Sequence, residues 1–503
     1  MRKVLVTTAL EETWPDNPAT PVLFLGEWCR LYSQKERWQA MEADVLPYHW
    51  DDRQKLYQDY LYISQFYEKC LQRLSVRLNE LHKVDHSERY WRILTGPWLG
   101  YFLQILFDRW SSIQQVLSRE EDFETTILDY PTAAVIPQNM MKFIQLLQGD
   151  HWNQFVYSKC IRQQSASKIN FNQEFKYLEN NTSNRKREKY SKQFLKYVLE
   201  KAQIFARGNR IFMMATYLPR WRQWQLDLQL KQFPQWRTPV EVPKPEVDLG
   251  LRKTGLRLDP RNQYEEIAEK LLLQQIPISY LEGFSALKQV IENNNWPKSP
   301  KLIWSSNAEI SHDSFKIYAA SKIEQGSKLV IGQHGGHYGI GKWSFSEDHQ
   351  IAIADRYYSW GWLDSKSSKI RSVGVLKMQK ERSNRSKSVA KKILLVQGLC
   401  NRFAEHADSM PISSQWLNYL KDQYEFCSSL RTDLRYFILV RIFPHDYGWY
   451  QTHRWQDQFP EIEIDTGHEP IKKSIDRSGL YVSTYNATTY LEAFAMNVPT
   501  VMF

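Results

Sequence analysis

Cysteine is scarce in this chain, and its spacing limits the structures that the chain can form. Five cysteines occur in 503 residues. They are Cys29, Cys70, Cys160, Cys400 and Cys427. They are far apart, odd in number and form no C-x-x-C pair, whereas a disulfide framework or a zinc ribbon needs closely spaced pairs. The pattern therefore argues against both.

Long apolar runs are also missing. Nowhere do about 18 apolar residues follow one another, so the sequence predicts no segment that spans a bilayer. The first residues, MRKVLVTTALEETW, contain a short apolar run, but Glu11 and Glu12 follow at once, unlike in a secretory signal peptide. We therefore expect a cytoplasmic protein, and peripheral contact with the inner membrane is compatible with this expectation.

Aromatic residues and positive charge are abundant. The chain has 19 Trp, 28 Tyr and a formal net charge of +10. The aromatic content favours folded domains with aromatic-lined clefts over disorder. The positive charge favours anionic partners such as nucleotide phosphates, lipid phosphates, an anionic membrane face or nucleic acid. Because the basic residues are dispersed and no recognition motif occurs, we expect no nucleic-acid partner.

The length and the hydrophobic pattern predict two α/β domains. Residues 1–380 are expected to form an N-terminal, acceptor-side domain that carries a large helical insertion from about 50 to 240. Residues 390–503 are expected to form a C-terminal, nucleotide-binding domain. The charged, Ser-rich stretch KMQKERSNRSKSVAKK, from Lys377 to Lys392, is the predicted boundary because few contacts would cross it.

Strands and helices alternate regularly in the second half of the chain. PKLIWSS and SKLVIGQHGG read as strands on either side of the helical DSFKIYAASKIEQG, and KILLVQG, YFILV and GLYVS continue the pattern. This alternation predicts parallel sheets in two Rossmann-like domains. The final PTVMF resembles a buried strand in mid-domain, so we expect the C-terminal domain to be truncated after Phe503.

Polar residues after the predicted strands are the candidate site residues, because open parallel sheets bind ligands at the carboxyl ends of their strands. After the first strand and the strands at 392 and 436, these residues are Thr7, Thr8, Glu11, Glu12, Arg402, Arg441, His445 and Asp446. Arg441 would pair with a phosphate. The alternative is an ordinary proline turn with an exposed histidine.

The stretch STYNATTYLEAF sets hydroxyls and amides at a predicted helix start. Its candidate donors are Ser483, Thr484, Asn486, Thr488 and Thr489. Free backbone N–H groups and hydroxyls there suit a phosphate. Glu492 follows one turn later, where a carboxylate would accept hydrogen bonds from a ribose. The alternative is a capped helix with Glu492 in solvent.

Glycine is sparse overall but concentrated in GQHGGHYGIG, residues 332–341. Glycines let a backbone approach a ligand closely, and His334 would serve as an acid, a base or a metal ligand. The H-x-x-H spacing lacks the cysteines or carboxylates of a metal site, and neither a P-loop nor a dinucleotide fingerprint is present. We therefore expect no metal or cofactor, and interpret the stretch as a cleft loop. Its members are Gln333, His334, Gly335, Gly336 and His337.

Six segments together resemble a family of transferases encoded with bacterial O-antigen and surface-polysaccharide genes. They are TTALEETW, LFLGEWC, GQHGGHYG, YYSWGW, RIFPHDYGW and YNATTYLEAFAMNVPTVMF, and they span nearly the whole chain. The pair of α/β domains also resembles the GT-B glycosyltransferase architecture, in which the second domain holds the nucleotide. Pro444 and His445 reverse the usual His-Pro order of that fold. The chain is also similar to keto-deoxy-sugar transferases, which use CMP-activated donors.

The leading hypothesis is a glycosyltransferase that acts in lipopolysaccharide or surface-polysaccharide biosynthesis. A nucleotide sugar is the expected donor, and a CMP-linked sugar is one candidate for it. A glycan or lipid-linked glycan is the expected acceptor. Glu11, Glu12 or His334 would be the base, and Arg402 or Arg441 would neutralise the leaving phosphate. The alternatives are a polyol-phosphate transferase, a nucleotide-sugar epimerase on the same fold, and a nucleic-acid-binding protein.

Overall fold

The computed structural model describes residues 2–163, 168–175, 202–235, 240, 242–365, 367–375 and 392–503. The predicted boundary between Lys377 and Lys392 lies outside the described residues, apart from Lys392 itself. Lys392 begins a strand.

Three parallel five-stranded sheets, rather than two, form the framework of the described chain. The strands of the first sheet are β1 (Lys3–Val6), β2 (Val22–Phe24), β3 (Ala43–Val45), β4 (Phe123–Asp129) and β5 (Ile169–Phe175). Those of the second are β6 (Ile211–Met214), β7 (Leu302–Ser305), β8 (Lys328–Gly332), β9 (Arg356–Ser359) and β10 (Ile370–Ser372). Those of the third are β11 (Lys392–Val396), β12 (Ile438–Arg441), β13 (Glu463–Asp465), β14 (Ser478–Ser483) and β15 (Thr500–Met502).

Strand order differs between the sheets. The first runs β3-β2-β1-β4-β5 and the third β13-β12-β11-β14-β15, which is the doubly wound order. The second runs β10-β9-β8-β7-β6, with neighbours consecutive in the chain. The prediction of an α/β fold with parallel sheets is thus confirmed, but the region expected to hold one sheet contains two. The segment from 50 to 240 includes β4, β5 and β6 besides its helices.

Helices cover the sheets and fill the space between them. In chain order they are α1 (Lys35–Gln39), α2 (Arg53–His82), α3 (Glu88–Leu117), α4 (Met140–Leu146), α5 (Asp150–Arg162), α6 (Arg220–Gln229), α7 (Leu249–Arg252), α8 (Gln263–Gln275), α9 (Phe284–Asn293), α10 (Ala308–Ser311), α11 (Asp313–Glu324), α12 (Phe345–Ile353), α13 (Gln415–Ser429), α14 (Thr432–Arg435), α15 (Gln451–Gln458), α16 (Ile471–Asp476) and α17 (Thr489–Ala495). None of the described helices is both long enough and apolar enough to cross a bilayer.

Two helices of 30 residues each, α2 and α3, pack against each other. The Asp52 side chain caps α2 by accepting from the backbone N–H groups of Gln54 and Lys55, and Ser87 caps α3 in the same way. Helix α3 is buried along most of its length, and it contacts α2, α5, α11 and α12. It therefore joins the cores of the first two sheets.

The loop after β11 attaches the third sheet to that shared core. Phe403 and Ala407 are buried in the core cluster of the first two sheets, whereas β11 and β12 pack in clusters of their own. The Arg109 guanidinium donates to the carbonyl of Ala404, and Gln104 accepts from the backbone N–H of Ala407. These contacts fix the third sheet beside the second.

Candidate functional site

A pocket of about 810 Å³ lies between the strand ends of the second and third sheets. Its volume falls within the usual range for small-molecule sites, roughly 300–1,000 Å³. The loops after β8, β11, β12 and β14 form its walls together with the first turn of α2. Its aromatic lining consists of Tyr57, Trp343, Trp416, Tyr419, Phe443, Tyr485 and Phe503. The carboxyl ends of two parallel sheets thus face one pocket.

The third sheet contributes its topological switch point to the pocket. The chain order reverses between β11 and β14, and such points leave a crevice where α/β sheets bind ligands. Tyr419 holds the two sides together there: its hydroxyl accepts from the backbone N–H of Gly398 and bonds the hydroxyl of Thr484. Thr484 in turn donates to the Val396 carbonyl at 2.8 Å. Thr484 and Asn486, both predicted site residues, line the pocket.

Gln333 fixes the shape of the glycine loop. Its side-chain nitrogen donates to the carbonyls of Gly335 and Tyr338, at 2.7 and 3.2 Å. Its side-chain oxygen accepts from the Trp360 backbone N–H and from the Trp362 indole, both at 2.8 Å. Gln333 is therefore buried in a structural role, and it explains why the GQHGG and SWGW segments occur together in this chain.

The glycines of this loop make room for protein rather than for a ligand. A Cβ on Gly336 would lie 2.5 Å from the carbonyl oxygen of Ala487. A Cβ on Gly339, whose φ is 77°, would lie 2.3 Å from the indole nitrogen of Trp362. The loop after β8 and the loop after β14 are thus in direct contact, and the expected close approach of a ligand to the backbone is not the reason for these two glycines.

His337 and Asp408 provide polar groups on one wall of the pocket. Burial lowers the pKa of His337 below its ordinary value, while the nearby charge of Asp408 opposes this effect. The imidazole is therefore neutral at pH 7 and able to accept a proton. Asp408 is 7% exposed and accepts from the Ser344 hydroxyl at 3.2 Å. His337 is therefore the candidate base among the side chains that line the pocket, whereas Asp408 lies 3.5 Å from Nδ1 of His406.

Cationic side chains that line the pocket complement an anionic ligand. Arg53 lies in the first turn of α2 and bonds the carbonyls of Ser409 and Met410. The Lys342 ammonium lies 4.6 Å from the ring centroid of Tyr57 and is exposed. Both line the pocket, so a phosphate there would meet two positive charges.

His334 is held behind the loop and does not line the pocket. Its Nδ1 lies 3.4 Å from the side-chain nitrogen of Gln350, which also donates to Glu309 at 2.7 Å. Its Nε2 lies 3.5 Å from the Tyr338 hydroxyl. Glu309 is fully buried, and burial raises its pKa, which favours the neutral carboxyl. Sequence reasoning missed Glu309, although it follows β7 and the strand-end rule would have included it.

Two predicted phosphate ligands are engaged within the protein. Arg402 is 4% exposed, bonds the carbonyl of Trp28 and pairs with Asp150 at 2.5 Å. Arg441 pairs with Asp465 at 2.7 Å and also donates to backbone carbonyls of the loop after β13. Neither guanidinium lines the pocket. In this structure both connect segments of the fold.

The strand end of β1 lies away from the pocket. Its switch point is filled by protein, because Gln154 accepts from the hydroxyls of Thr7 and Thr8 at 2.6 and 3.0 Å. Glu11 pairs with Arg37 at 2.5 Å, and Glu12 is exposed. None of these side chains lines the pocket. The structure therefore does not bring the two glutamates together with His337.

The remaining predicted residues lie around the pocket without lining it. Ser483 donates to the Tyr485 carbonyl at 3.1 Å, and Thr489 accepts from the Tyr481 hydroxyl at 2.8 Å. His445 is exposed beside Tyr447. Asp446, Thr488 and Glu492 likewise fall outside the lining. Asp446 accepts from the backbone N–H groups of the start of α15.

Sequence reasoning also missed the contributions from distant segments. Arg53 and Tyr57 come from α2, and Asp408 comes from the loop that joins the third sheet to the core. In the sequence, only the high content of basic and aromatic residues indicated a pocket lined by such side chains. Within the described residues, no group of three or more His, Cys, Asp or Glu side chains is arranged to hold a metal ion.

The fold and the pocket together define an α/β protein with a ligand-sized site at the ends of parallel strands. A family model matches residues 3–503 of the chain. The chain belongs to the LIC12162 family of transferases. No curated protein matches it.

Proposed function

We propose that this transferase moves a glycosyl group from a nucleotide-linked donor to a surface-polysaccharide or O-antigen acceptor. The observation that carries the proposal is the pocket of about 810 Å³ between the strand ends of the second and third sheets. Two α/β units that face each other across a ligand-sized space are what a GT-B-like enzyme requires. The division into an acceptor-side region, 1–380, and a nucleotide-side region, 390–503, belongs to this proposal.

The pocket suits a nucleotide because it combines aromatic faces with positive charge. Tyr419 and Tyr485 offer surfaces for a base, and Thr484 and Asn486 lie at the switch point of the third sheet. Lys342, from the loop after β8, and Arg53, from the first turn of α2, are the cationic groups of the lining. A phosphate between them would be stabilised as it leaves.

The proposed step balances with groups that are present. The acceptor hydroxyl gives its proton to a base, its oxygen bonds the anomeric carbon, and the bond from that carbon to the phosphate oxygen breaks. The nucleotide leaves with the bonding electron pair. His337, neutral at pH 7 and close to Asp408, is the base that the pocket geometry favours over His334, Glu11 and Glu12.

Binding of CMP, UDP and GDP to the purified full chain tests the nucleotide site. We expect one of them to bind, and Lys342→Ala to weaken that binding about tenfold because an exposed charge facing phosphate is lost. Lys421→Ala is the matched control, since Lys421 is exposed on α13 and outside the pocket. Equal nucleotide binding by Lys342→Ala and Lys421→Ala would show that the nucleotide does not bind beside Lys342.

Product analysis tests the reaction itself. With a nucleotide sugar and a glycan acceptor, we expect nucleotide release only when the acceptor is present, and an acceptor product heavier by one glycosyl residue. His337→Gln should remove turnover and leave nucleotide binding within about twofold of wild type. A product that also gains phosphate would identify a polyol-phosphate transferase, and conversion of the donor without acceptor would identify an epimerase.

A further inference from the structure

Helix α6 exposes three large apolar side chains and buries two polar ones. Trp221, Trp224 and Leu228 recur at helical spacing and are 55%, 37% and 64% exposed. Gln223 and Asp227, on the other face, are 5% and 0% exposed. Arg222 and Gln225 are exposed as well, but the large apolar side chains face away from the protein, whereas the apolar stripe of an ordinary surface helix faces the core.

Hydrogen bonds hold the helix in this orientation. The Thr216 hydroxyl donates to the side-chain oxygen of Gln223 at 3.1 Å. The Asp227 carboxylate accepts from the side chain of Gln232 at 2.8 Å and from the backbone N–H of Gln235 at 3.2 Å. Turning the apolar face inward would leave these buried groups without partners, which is costly.

Further apolar side chains continue the exposed surface near the helix. Leu230 directly follows the end of α6 and is 40% exposed. Phe205 is 69% exposed, and its ring centroid lies 5.5 Å from that of Phe233, in the segment after the helix. Ile204, beside Phe205, is 51% exposed. Together with Trp221, Trp224 and Leu228 they form what we name the α6 surface.

The segment that carries the α6 surface is strongly basic. Residues 202–235 contain Arg207, Arg210, Arg220, Arg222 and Lys231. Their one acidic residue is Asp227, which is buried. The Arg222 guanidinium lies 4.1 Å from the ring centroid of Trp221. An exposed apolar face flanked by arginines matches a surface that is anionic outside and apolar beneath.

We propose that the α6 surface docks the protein on an anionic lipid bilayer, with Trp221, Trp224 and Leu228 in the headgroup boundary. Nucleic acid would stack on the tryptophans but would gain nothing from the exposed aliphatic side chains. A second copy of the chain would bring like charges together. This inference concerns a surface distinct from the pocket, so it stands or fails separately from the proposed reaction.

Co-sedimentation of the full chain with lipid vesicles tests the docking. We expect binding to vesicles of phosphatidylcholine with phosphatidylglycerol, and little binding to phosphatidylcholine alone. Trp221→Gln with Leu228→Gln should weaken binding about tenfold because apolar contact is lost, and Arg220→Gln with Arg222→Gln should weaken it about as much. Both pairs are exposed, so the fold is expected to be retained, which circular dichroism checks.

Val76→Gln is the matched control. Val76 is 55% exposed on α2, away from the α6 surface in the sequence, and its substitution should leave vesicle binding unchanged. Equal binding to both vesicle types, or binding that survives both double substitutions, would overturn the proposal. Absence of vesicle binding, with oligonucleotide binding that requires Trp221, would assign the surface to nucleic acid instead.

Discussion

Replacing Gly336 by alanine should push apart two of the loops that form the pocket, those after β8 and β14. The added Cβ would lie 2.5 Å from the carbonyl oxygen of Ala487 and 2.8 Å from its carbonyl carbon. Ordinary contact begins near 3.4 Å, so one backbone must move by about 1 Å. Because the obstacle is backbone, no side-chain rotation relieves it. We expect the free energy of unfolding to fall by about 1–3 kcal/mol, the usual cost of overpacking.

Urea denaturation and nucleotide binding measure the two consequences of this substitution. The same movement displaces Ala487 and Asn486, which line the pocket, so affinity for the nucleotide should fall about tenfold or more. Gly374→Ala is the matched control, because a Cβ there would meet no atom within 4 Å. It should leave both quantities close to those of the wild type.

A Gly336→Ala variant that behaves like Gly374→Ala in both assays would contradict the predicted clash with Ala487. That result would mean that the loops after β8 and β14 are not in contact in solution, and the pocket between the sheets would lose one wall. If Gly336→Ala loses stability but keeps its affinity for the nucleotide, the contact between the loops exists and the nucleotide binds away from Ala487.

Three other substitutions test charged groups. Burial raises the pKa of Glu347 to about 7. The protonated carboxyl therefore contributes fully to stability below pH 4.5, and this contribution declines as the pH rises and is gone above about 7. Glu347→Gln should flatten this pH dependence of the free energy of unfolding, measured by urea denaturation between pH 5 and 8. Arg402→Ala removes the ion-pair partner of Asp150, so the free energy of unfolding should fall by about 3 kcal/mol while nucleotide affinity stays within about twofold of the wild type. Lost affinity with normal stability would instead identify Arg402 as a phosphate ligand. Arg109→Met leaves the buried Asp108 without its cation and should lower the melting temperature, with a loss of about 3 kcal/mol; an unchanged melting curve would contradict the pair's structural role.

Much of the fold could be predicted because its signals are local. Runs such as KLVIG and KILLV are short, apolar and rich in β-branched residues, and they form β8 and β11 as expected. The strand-end rule likewise directed attention to the loops after β8 and β14. β5 of the first sheet is exposed along most of its length, so its residues lack the apolar run of a buried strand. Which strands share a sheet depends on pairing between distant segments, so the sequence did not show that the region 1–380 holds two sheets.

The partners of the candidate site residues could not be predicted in the same way. Arg402 and Arg441 follow strands as a phosphate ligand would, but their carboxylate partners, Asp150 and Asp465, come from other parts of the chain. His334 and His337 are three positions apart, yet one is held behind the loop and the other lines the pocket. Sequence spacing cannot distinguish these environments, because they depend on which distant segments pack against the loop.

The sequence alone determined the parallel α/β character of this chain and its content of positive charge and aromatic rings. These properties follow from short-range hydrophobic patterns and from composition. Only the tertiary structure decided that there are three sheets, that α2 supplies Arg53 to the pocket, and that α6 turns Trp221 outward. The reason is that strand pairing, ion pairing and the buried face of a helix depend on contacts between segments far apart in the chain, and these are formed only when the chain folds.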